Sequence, residues 1–334
     1  MGPRLLVLLD NDETSLYELE LRLIRGLTAC PFHTVVADVR DEAWVRSVFE
    51  RYRPEVVFYS AALKHVPMME YHPAEAVKNN VLGTRILAQA SLEGGAEHFI
   101  LISTDKAVHP MNVMGCTKRV AEMLIKDCRG RNGGKGALFT AMRFGNVLGS
   151  RGSVVPVFRK QMEEGVPVLI TYPEVIRYFM TIEEAAQLVI QAGAFTRGKD
   201  AFILDMGKPV RIIDLARELI RLMGKEGKME IKVTGLRSGE KLHETLTFPE
   251  EELAHTFHPN IDKALHDLVL PADFQTRMEG SSWPRSGGRG PRAGALFRAG
   301  PSYRPYVPRR RIWIEERRGV GARTGSRTVP GLEI

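Results

Sequence analysis

The segment Ser103-Thr104-Asp105-Lys106-Ala107-Val108 puts a hydroxyl, a carboxylate and an amine on consecutive residues directly after an apolar run. At the carboxyl end of a strand in an open α/β sheet, where ligands bind, these groups can act as hydrogen-bond donor, acid and base. A strand-end loop with a solvated Asp and Lys is the plainer alternative for the same residues. Met114 and Lys118 are four apart and share one helix face. By itself Met114 suits core filling and Lys118 a surface charge. Cys30, Cys116 and Cys128 stand far apart, without metal-ligand or Cys-x-x-Cys spacing. No metal site is expected, and the thiols read as reduced in a cytoplasmic protein.

Apolar runs and amphipathic stretches alternate up to about residue 145, as elements that position such residues would. The pattern predicts strands over 5–9, 34–36, 56–59, 99–102 and 139–144. Helices are predicted over 13–25, 41–52, 74–93 and 112–127, with Val45, Val48 and Phe49 on one face of the second. Such alternation argues for a parallel sheet covered on both faces. Past Asn146 the pattern loosens. Thr181 can cap a helix through Ala194 that turns Ala185, Leu188, Val189 and Ala192 inward. A helix over 212–223 would bury Ile213, Ala216, Leu219 and Ile220.

The net charge of +7 is unevenly placed: residues 275–334 hold 13 Arg, no Lys and four acids, a surplus of +9 that leaves −2 for the rest. The globular part therefore has no basic footprint for nucleic acid. The tail is rich in Gly, Pro, Arg and Ser without periodicity, and disorder is expected of it, together with dispensability for folding. No apolar run reaches the roughly 18 residues of a membrane span.

These residues carry a resemblance. Short-chain dehydrogenases place a Ser or Thr after the fourth strand and Tyr-x-x-x-Lys on the next helix; here Met114 stands where the Tyr would be. With that substitution, the strand-end segment and Asn112-Val113-Met114-Gly115-Cys116-Thr117-Lys118-Arg119 resemble the capsular polysaccharide biosynthesis family of UDP-N-acetylglucosamine 4,6-dehydratases. Further similar segments are Ala61-Ala62-Leu63-Lys64-His65-Val66-Pro67 and Asn79-Asn80-Val81-Leu82-Gly83-Thr84. Residues 143–153, Arg177-Tyr178-Phe179-Met180-Thr181 and Arg237-Ser238-Gly239-Glu240-Lys241 extend the match, the last with Ser238 where Pro is usual.

The resemblance implies an internal redox cycle. Bound NAD takes hydride from C4 of the hexose, the acidified C5 proton leaves, water is lost across C5–C6, and hydride returns to C6. Thr104 would then bond the C4 oxygen, Asp105 protonate the departing C6 hydroxyl, and Lys106 take the C5 proton. Met114 can do no proton transfer, so the usual Tyr task passes to Thr104, Lys118, Lys106 or water. Lys118 would hold the nicotinamide ribose. Asp10 would accept from the adenosine ribose hydroxyls, favouring NAD over NADP, with a helix N-cap as its alternative role. Asp38 and Val39 would meet adenine, Ala61 and Ala62 would let the cofactor pass, and Asn80 would reach the ribose side unless it only packs. For the sugar diphosphate, Lys64, His65, Asn146, Arg151, Arg177, Arg237 and Lys241 are candidates, since cations suit phosphate oxygens. Taken singly, His65 suits a structural place, and Arg177 and Arg237 suit solvated surface sites.

The fold implied is a Rossmann-type, doubly wound parallel sheet in an α/β chain. Residues 1–150 would form the NAD-binding domain, 151–265 an interleaved, smaller substrate lobe, and 275–334 the tail. No Gly-x-x-Gly-x-x-Gly turn precedes Leu5, so the chain is expected to lack the first, central strand and the pyrophosphate cradle, and to hold NAD weakly. A slot between the strands at 5–9 and 56–59 should follow. A homo-oligomer is expected; long members of the family are anchored at the inner membrane. Three functions compete: a nucleotide-sugar dehydratase, a non-catalytic remnant that has lost NAD, and a basic-tailed polyanion-binding protein.

Overall fold

The computed structural model describes residues 2–26, 30–131, 136–198, 200–265 and 273–274, so the tail expected to be disordered lies outside the described residues. The chain opens with β1 (Leu6–Asp10), α1 (Glu13–Arg25), β2 (Phe32–Val36), α2 (Glu42–Tyr52) and β3 (Val56–Tyr59). Next, α3 (Val66–Tyr71) and α4 (Pro73–Ala76) lead through a π-helical turn at Val77–Leu82 into α5 (Gly83–Glu93) and β4 (His98–Ile102). A 3-10 turn at Asp105–Ala107 precedes α6 (Val113–Arg131) and β5 (Leu138–Arg143). Then follow β6 (Asn146–Val147), α7 (Val154–Glu163), β7 (Val168–Ile170), β8 (Ile176–Arg177), β9 (Phe179–Met180), α8 (Ile182–Phe195) and β10 (Asp200–Leu204). The last described elements are β11 (Val210–Arg211), α9 (Ile212–Leu222), β12 (Ile231–Val233), β13 (Leu253–His255) and β14 (Ile261–Ala264).

Local chemistry explains the boundaries. Asp41 caps α2 by accepting from the Trp44 amide, and Val45, Val48 and Phe49 then face the core together. Thr181 and Glu184 form a reciprocal capping box that starts α8. Phe99, Ile100 and Leu101 are wholly buried in β4, as a strand covered on both faces requires. Each such side chain contributes about 1.5–3 kcal/mol of hydrophobic stabilisation.

The main sheet has the order β13-β14-β10-β5-β4-β3. β3, β4, β5 and β10 run parallel, and β14 and β13 continue the sheet antiparallel. β1 and β2 form a separate parallel pair, and no ladder joins β1 to β3 among the described residues. The two strands are thus unpaired, as expected. Arg4 links the two regions with a 2.5 Å ion pair to Glu55, and Val56 and Phe58 of the unpaired β3 edge stay exposed.

Later residues build a distinct apolar cluster from Phe158, Met162, Val168, Ile170, Val175, Ile212, Ala216 and Ile220. Ile213 and Leu219, expected inward, are only half-buried at the margin of this cluster. β10 and β14, by contrast, return to the main sheet, so the second half of the chain is shared between the two cores.

The helix expected over 74–93 runs without interruption from Pro73 to Glu93, with a π-helical segment at Val77–Leu82 inside it. The π turn inserts a wider coil and places Asn79 and Asn80 in the interior. Asn80 accepts from the Leu63 amide at 2.8 Å and donates to the Leu63 carbonyl at 3.0 Å and to Thr117 at 3.0 Å. A buried amide able to satisfy a loop backbone offsets the irregular helix geometry.

Gly115 fixes how closely α6 approaches the turn after β4. A Cβ there would lie 2.2 Å from the Lys106 carbonyl oxygen, a backbone atom with no room to retreat. Gly115→Ala is expected to destabilise the fold by ~1–3 kcal/mol through overpacking. Urea unfolding checks this; an unchanged midpoint would mean that the contact is not tight.

Candidate active site

The turn after β4 is held from three sides. The Ser103 amide donates to the Met142 carbonyl at 2.8 Å, and the Asp105 amide to the Phe144 carbonyl at 3.1 Å. The Ser103 hydroxyl donates to Glu122 Oε1 at 2.6 Å. Glu122 also pairs with Arg143 at 2.9 Å and Arg119 at 3.0 Å, and Arg143 bonds Glu251 at 2.7 Å. Burial opposes the charge on Glu122, yet Arg143, Arg119 and the Ser103 hydroxyl hold its pKa below the usual carboxylate value. A buried network whose members are all paired gives the turn a rigid seat.

On that seat the three reactive groups converge. Thr104 Oγ1 donates to Asp105 Oδ1 at 2.7 Å, and Lys106 Nζ donates to the same oxygen at 3.0 Å. Lys106 Nζ also reaches Asn146 Oδ1 at 3.4 Å. Asp105 is wholly buried, while Thr104 and Lys106 are partly open. Lys106, Asn112, Arg177, Arg237, Glu240 and Glu244 line a cleft of about 280 Å³, together with Val66, Pro67, Gly152, Val154 and Gly239. Gly239 permits this closure: its φ is +75°, and a Cβ there would meet that of Asn112 at 2.6 Å.

Lys118 is buried on α6 and donates to the Ile102 carbonyl at the end of β4. Burial pushes its pKa down to about 8, with Glu122 one turn onward partly offsetting this. Below about pH 8 the ammonium is charged in the folded and unfolded chain alike, and above the ordinary 10.5 it is neutral in both. Between these values the unfolded chain binds the extra proton, so stability should rise with pH, by an amount on the order of 3 kcal/mol. Chemical denaturation across that window should show the rise in the parent chain and its absence in Lys118→Met. Parallel curves would contradict it.

Met114 is buried among Met69, Ala76 and Val113, in agreement with its core-filling alternative and its inability to move protons. Arg177, buried rather than solvated, donates to the Leu242 carbonyl at 3.1 Å and the Lys241 carbonyl at 2.8 Å, stapling the 237–242 loop over the cleft. Arg237 is exposed at the rim, and Lys241 donates to the Val108 carbonyl at 2.8 Å. Lys64 and His65 are exposed; Lys64 reaches Ser150 at 3.4 Å, and the His65 ring abuts Gly152. Arg151 stands apart from the cleft wall, paired with Asp12 at 3.0 Å at the start of α1.

Among the groups expected to face the cofactor, Asp10 ends β1 and accepts from the Asp12 amide at 2.9 Å. The N-cap task belongs to Asp12, which leaves Asp10 without that alternative role. Asp38 follows β2, where the Arg40 side chain holds its carboxyl below the usual range. Val39 is buried, and Ala61 and Ala62 line the exposed exit of β3.

Sequence reasoning missed Glu122, Glu251 and Glu244. The first two look like ordinary helix and loop acids until Arg143 turns out to be buried between them. Glu244, three residues beyond Lys241, carried a faint signal as one more charge in the Arg237–Lys241 stretch.

A mostly parallel sheet, a hydroxyl–carboxylate–amine turn after β4 and a buried lysine on the next helix define a short-chain dehydrogenase/reductase type of protein. The chain belongs to the polysaccharide biosynthesis protein family, whose profile matches residues 1–265. It is 50% identical over 282 residues to the capsular polysaccharide biosynthesis protein CapD of Staphylococcus aureus, covering 80% of this chain and 47% of that protein. The chain thus spans about half the length of the first curated relatives it matches. It is 33% identical over 245 residues to the UDP-N-acetylglucosamine 4,6-dehydratase (inverting) of Campylobacter jejuni, covering 73% of this chain and 70% of that one. The X-ray structure of Pen from Bacillus thuringiensis is similar with TM-score 0.73 and 31% identity, over 78% of this chain and 81% of that chain. DesIV of Streptomyces venezuelae, a dTDP-glucose 4,6-dehydratase with NAD and DAU bound, shares the fold at TM-score 0.65 and 15% identity, over 74% and 80% of the two chains. No helix among the described residues is long and apolar enough to cross a membrane.

Proposed function

We propose that this chain carries the reactive face of an NAD-dependent nucleotide-sugar 4,6-dehydratase of the UDP-N-acetylglucosamine type, acting in surface polysaccharide biosynthesis. The observation that carries the reading is the convergence of Thr104 Oγ1 and Lys106 Nζ on one oxygen of buried Asp105. Thr104 is placed to bond the sugar C4 oxygen. Lys106 accepts the C5 proton and Asp105 donates a proton to the departing C6 hydroxyl, two tasks that suit an amine and a carboxyl 3.0 Å apart. Arg237 at the rim and the Arg177-stapled loop suit the anionic diphosphate of a UDP-sugar.

NAD, when bound, supplies the reversible hydride acceptor of such a reaction. The described residues fit it in part: Asp10 and Asp38 suit the adenosine end and Lys118 the nicotinamide ribose. Among the described residues no ladder joins β1 to β3 and no glycine-rich turn stands between them for the pyrophosphate. That arrangement favours a second reading, a protein that keeps the sugar side without holding NAD.

The test uses a joined protein, in which residues 1–334 follow the preceding portion of the S. aureus relative. Formation of a 4-keto-6-deoxy sugar from UDP-N-acetylglucosamine supports the dehydratase; recovery of unchanged or C4-epimerised sugar counts against it.

A further inference from the structure

Glu244 belongs to none of the roles above, yet it sits at their centre. Its side chain is almost wholly buried at the wall of the cleft, with Oε1 3.7 Å from Lys106 Nζ and Oε2 3.8 Å from Lys241 Nζ. Oε2 has no hydrogen-bond partner, and neither has the buried Asp105 Oδ2. Two carboxyls, each with an unsatisfied buried oxygen, therefore flank one lysine. Buried polar atoms in native proteins are rarely left so, and the exceptions concentrate where protons or ligands are handled.

We infer that Glu244 is a positioning residue of the reaction proposed above, one whose own protonation decides where the proton shared by Lys106 and Asp105 rests. The inference depends on that reading only for its purpose; the coupling itself is a property of the cluster. The shared proton moves between Lys106 Nζ and Asp105 Oδ1, which are 3.0 Å apart. In one arrangement the pair is ammonium and carboxylate; in the other it is amine and carboxylic acid. One N–H bond breaks, one O–H bond forms, and the net charge of the pair is unchanged. Only the second arrangement can take a C5 proton and give one to a leaving hydroxyl. An ionised Glu244 beside the lysine favours the first arrangement, and a neutral Glu244 releases the second.

The surroundings support a neutral carboxyl. Burial raises the Glu244 pKa, and Asp105 raises it further, while Lys106, Arg177 and Lys241 pull it down. These are the charged groups that face it. Lys241 is partly engaged elsewhere through the Val108 carbonyl, and Arg177 through the 241–242 carbonyls. Burial has the larger effect, so the folded chain holds this proton to higher pH than a free glutamate would.

The coupling can be read in residues 1–334 without any turnover. With carboxyl-labelled glutamate, the Glu244 carbon should titrate above the ordinary glutamate range. In Lys106→Met its midpoint should climb by about one further unit, and in Lys208→Met, outside the cluster, it should stay. Coupling free energies are reciprocal, so a climb on losing Lys106 means that Glu244 acts equally on Lys106. An unmoved midpoint in Lys106→Met overturns the inference. In the joined protein, Glu244→Gln should move the pH profile of C5 proton exchange down by about one unit, a displacement that loop support alone would not produce. An unchanged profile also overturns it. Absence of exchange at every pH in the parent joined protein, with the midpoint climb intact, would reject the dehydratase reading and leave the proton coupling standing.

Discussion

In the joined protein, Lys106→Ala and Asp105→Asn are each expected to slow formation of the 4-keto-6-deoxy sugar by ~10²–10⁴-fold, the usual loss when a general base or acid is removed. The geometry explains why each should be severe. Lys106 and Asp105 share one short contact, so removing either also misplaces the proton on its partner. The Lys106→Ala loss should fall on turnover rather than on UDP-sugar affinity, because Arg237 keeps its place at the cleft rim and Arg177 still staples the 241–242 loop. Product analysis with saturating sugar nucleotide checks this. Near-normal turnover in both variants would remove the pair from the mechanism and return Asp105 and Lys106 to the status of a well-ordered loop.

Residues 1–334 by themselves are expected to bind NAD weakly or not at all. Asp10, Asp38 and Lys118 remain to meet its two ribose ends and its adenine. Among the described residues, however, no glycine-rich turn between β1 and β3 presents amides to the pyrophosphate, and at such a turn the helix dipole alone contributes up to ~2 kcal/mol in favourable geometry. Among the described residues the β1–β2 pair shares no backbone ladder with β3, so side-chain packing such as that of Leu9 holds the element that carries Asp10. Calorimetry should give no saturable heat at micromolar cofactor. Micromolar binding would contradict the expectation and mean that another segment meets the pyrophosphate.

Much of the fold was legible because β4 and α2 obey simple rules: a short continuous apolar run for a doubly covered strand, and a capped stripe at helical spacing. The π segment inside the 74–93 helix was not legible, because it answers to Asn80 finding Leu63, a contact between residues seventeen apart. Local spacing carries no record of such a partner. The reactive turn was readable as three residues in a row, since adjacency in sequence there is adjacency in space. Its support was not: Glu122, Arg143 and Glu251 come from a helix, a strand and a distant loop, and each alone resembles a surface charge. Arg177 shows the same limit in reverse. Its type suggested a phosphate ligand or a solvated charge, while its guanidinium is spent on the carbonyls of the 241–242 loop.

The most direct test of the central claim is incubation of the joined protein with UDP-N-acetylglucosamine and NAD in deuterated water, followed by NMR of the sugar. A dehydratase working through Lys106 should yield a 4-keto-6-deoxy sugar with deuterium at C5 and no net change in the cofactor. A sugar returned with C6 still hydroxylated and no deuterium at C5, whether unchanged or epimerised at C4, would contradict the account.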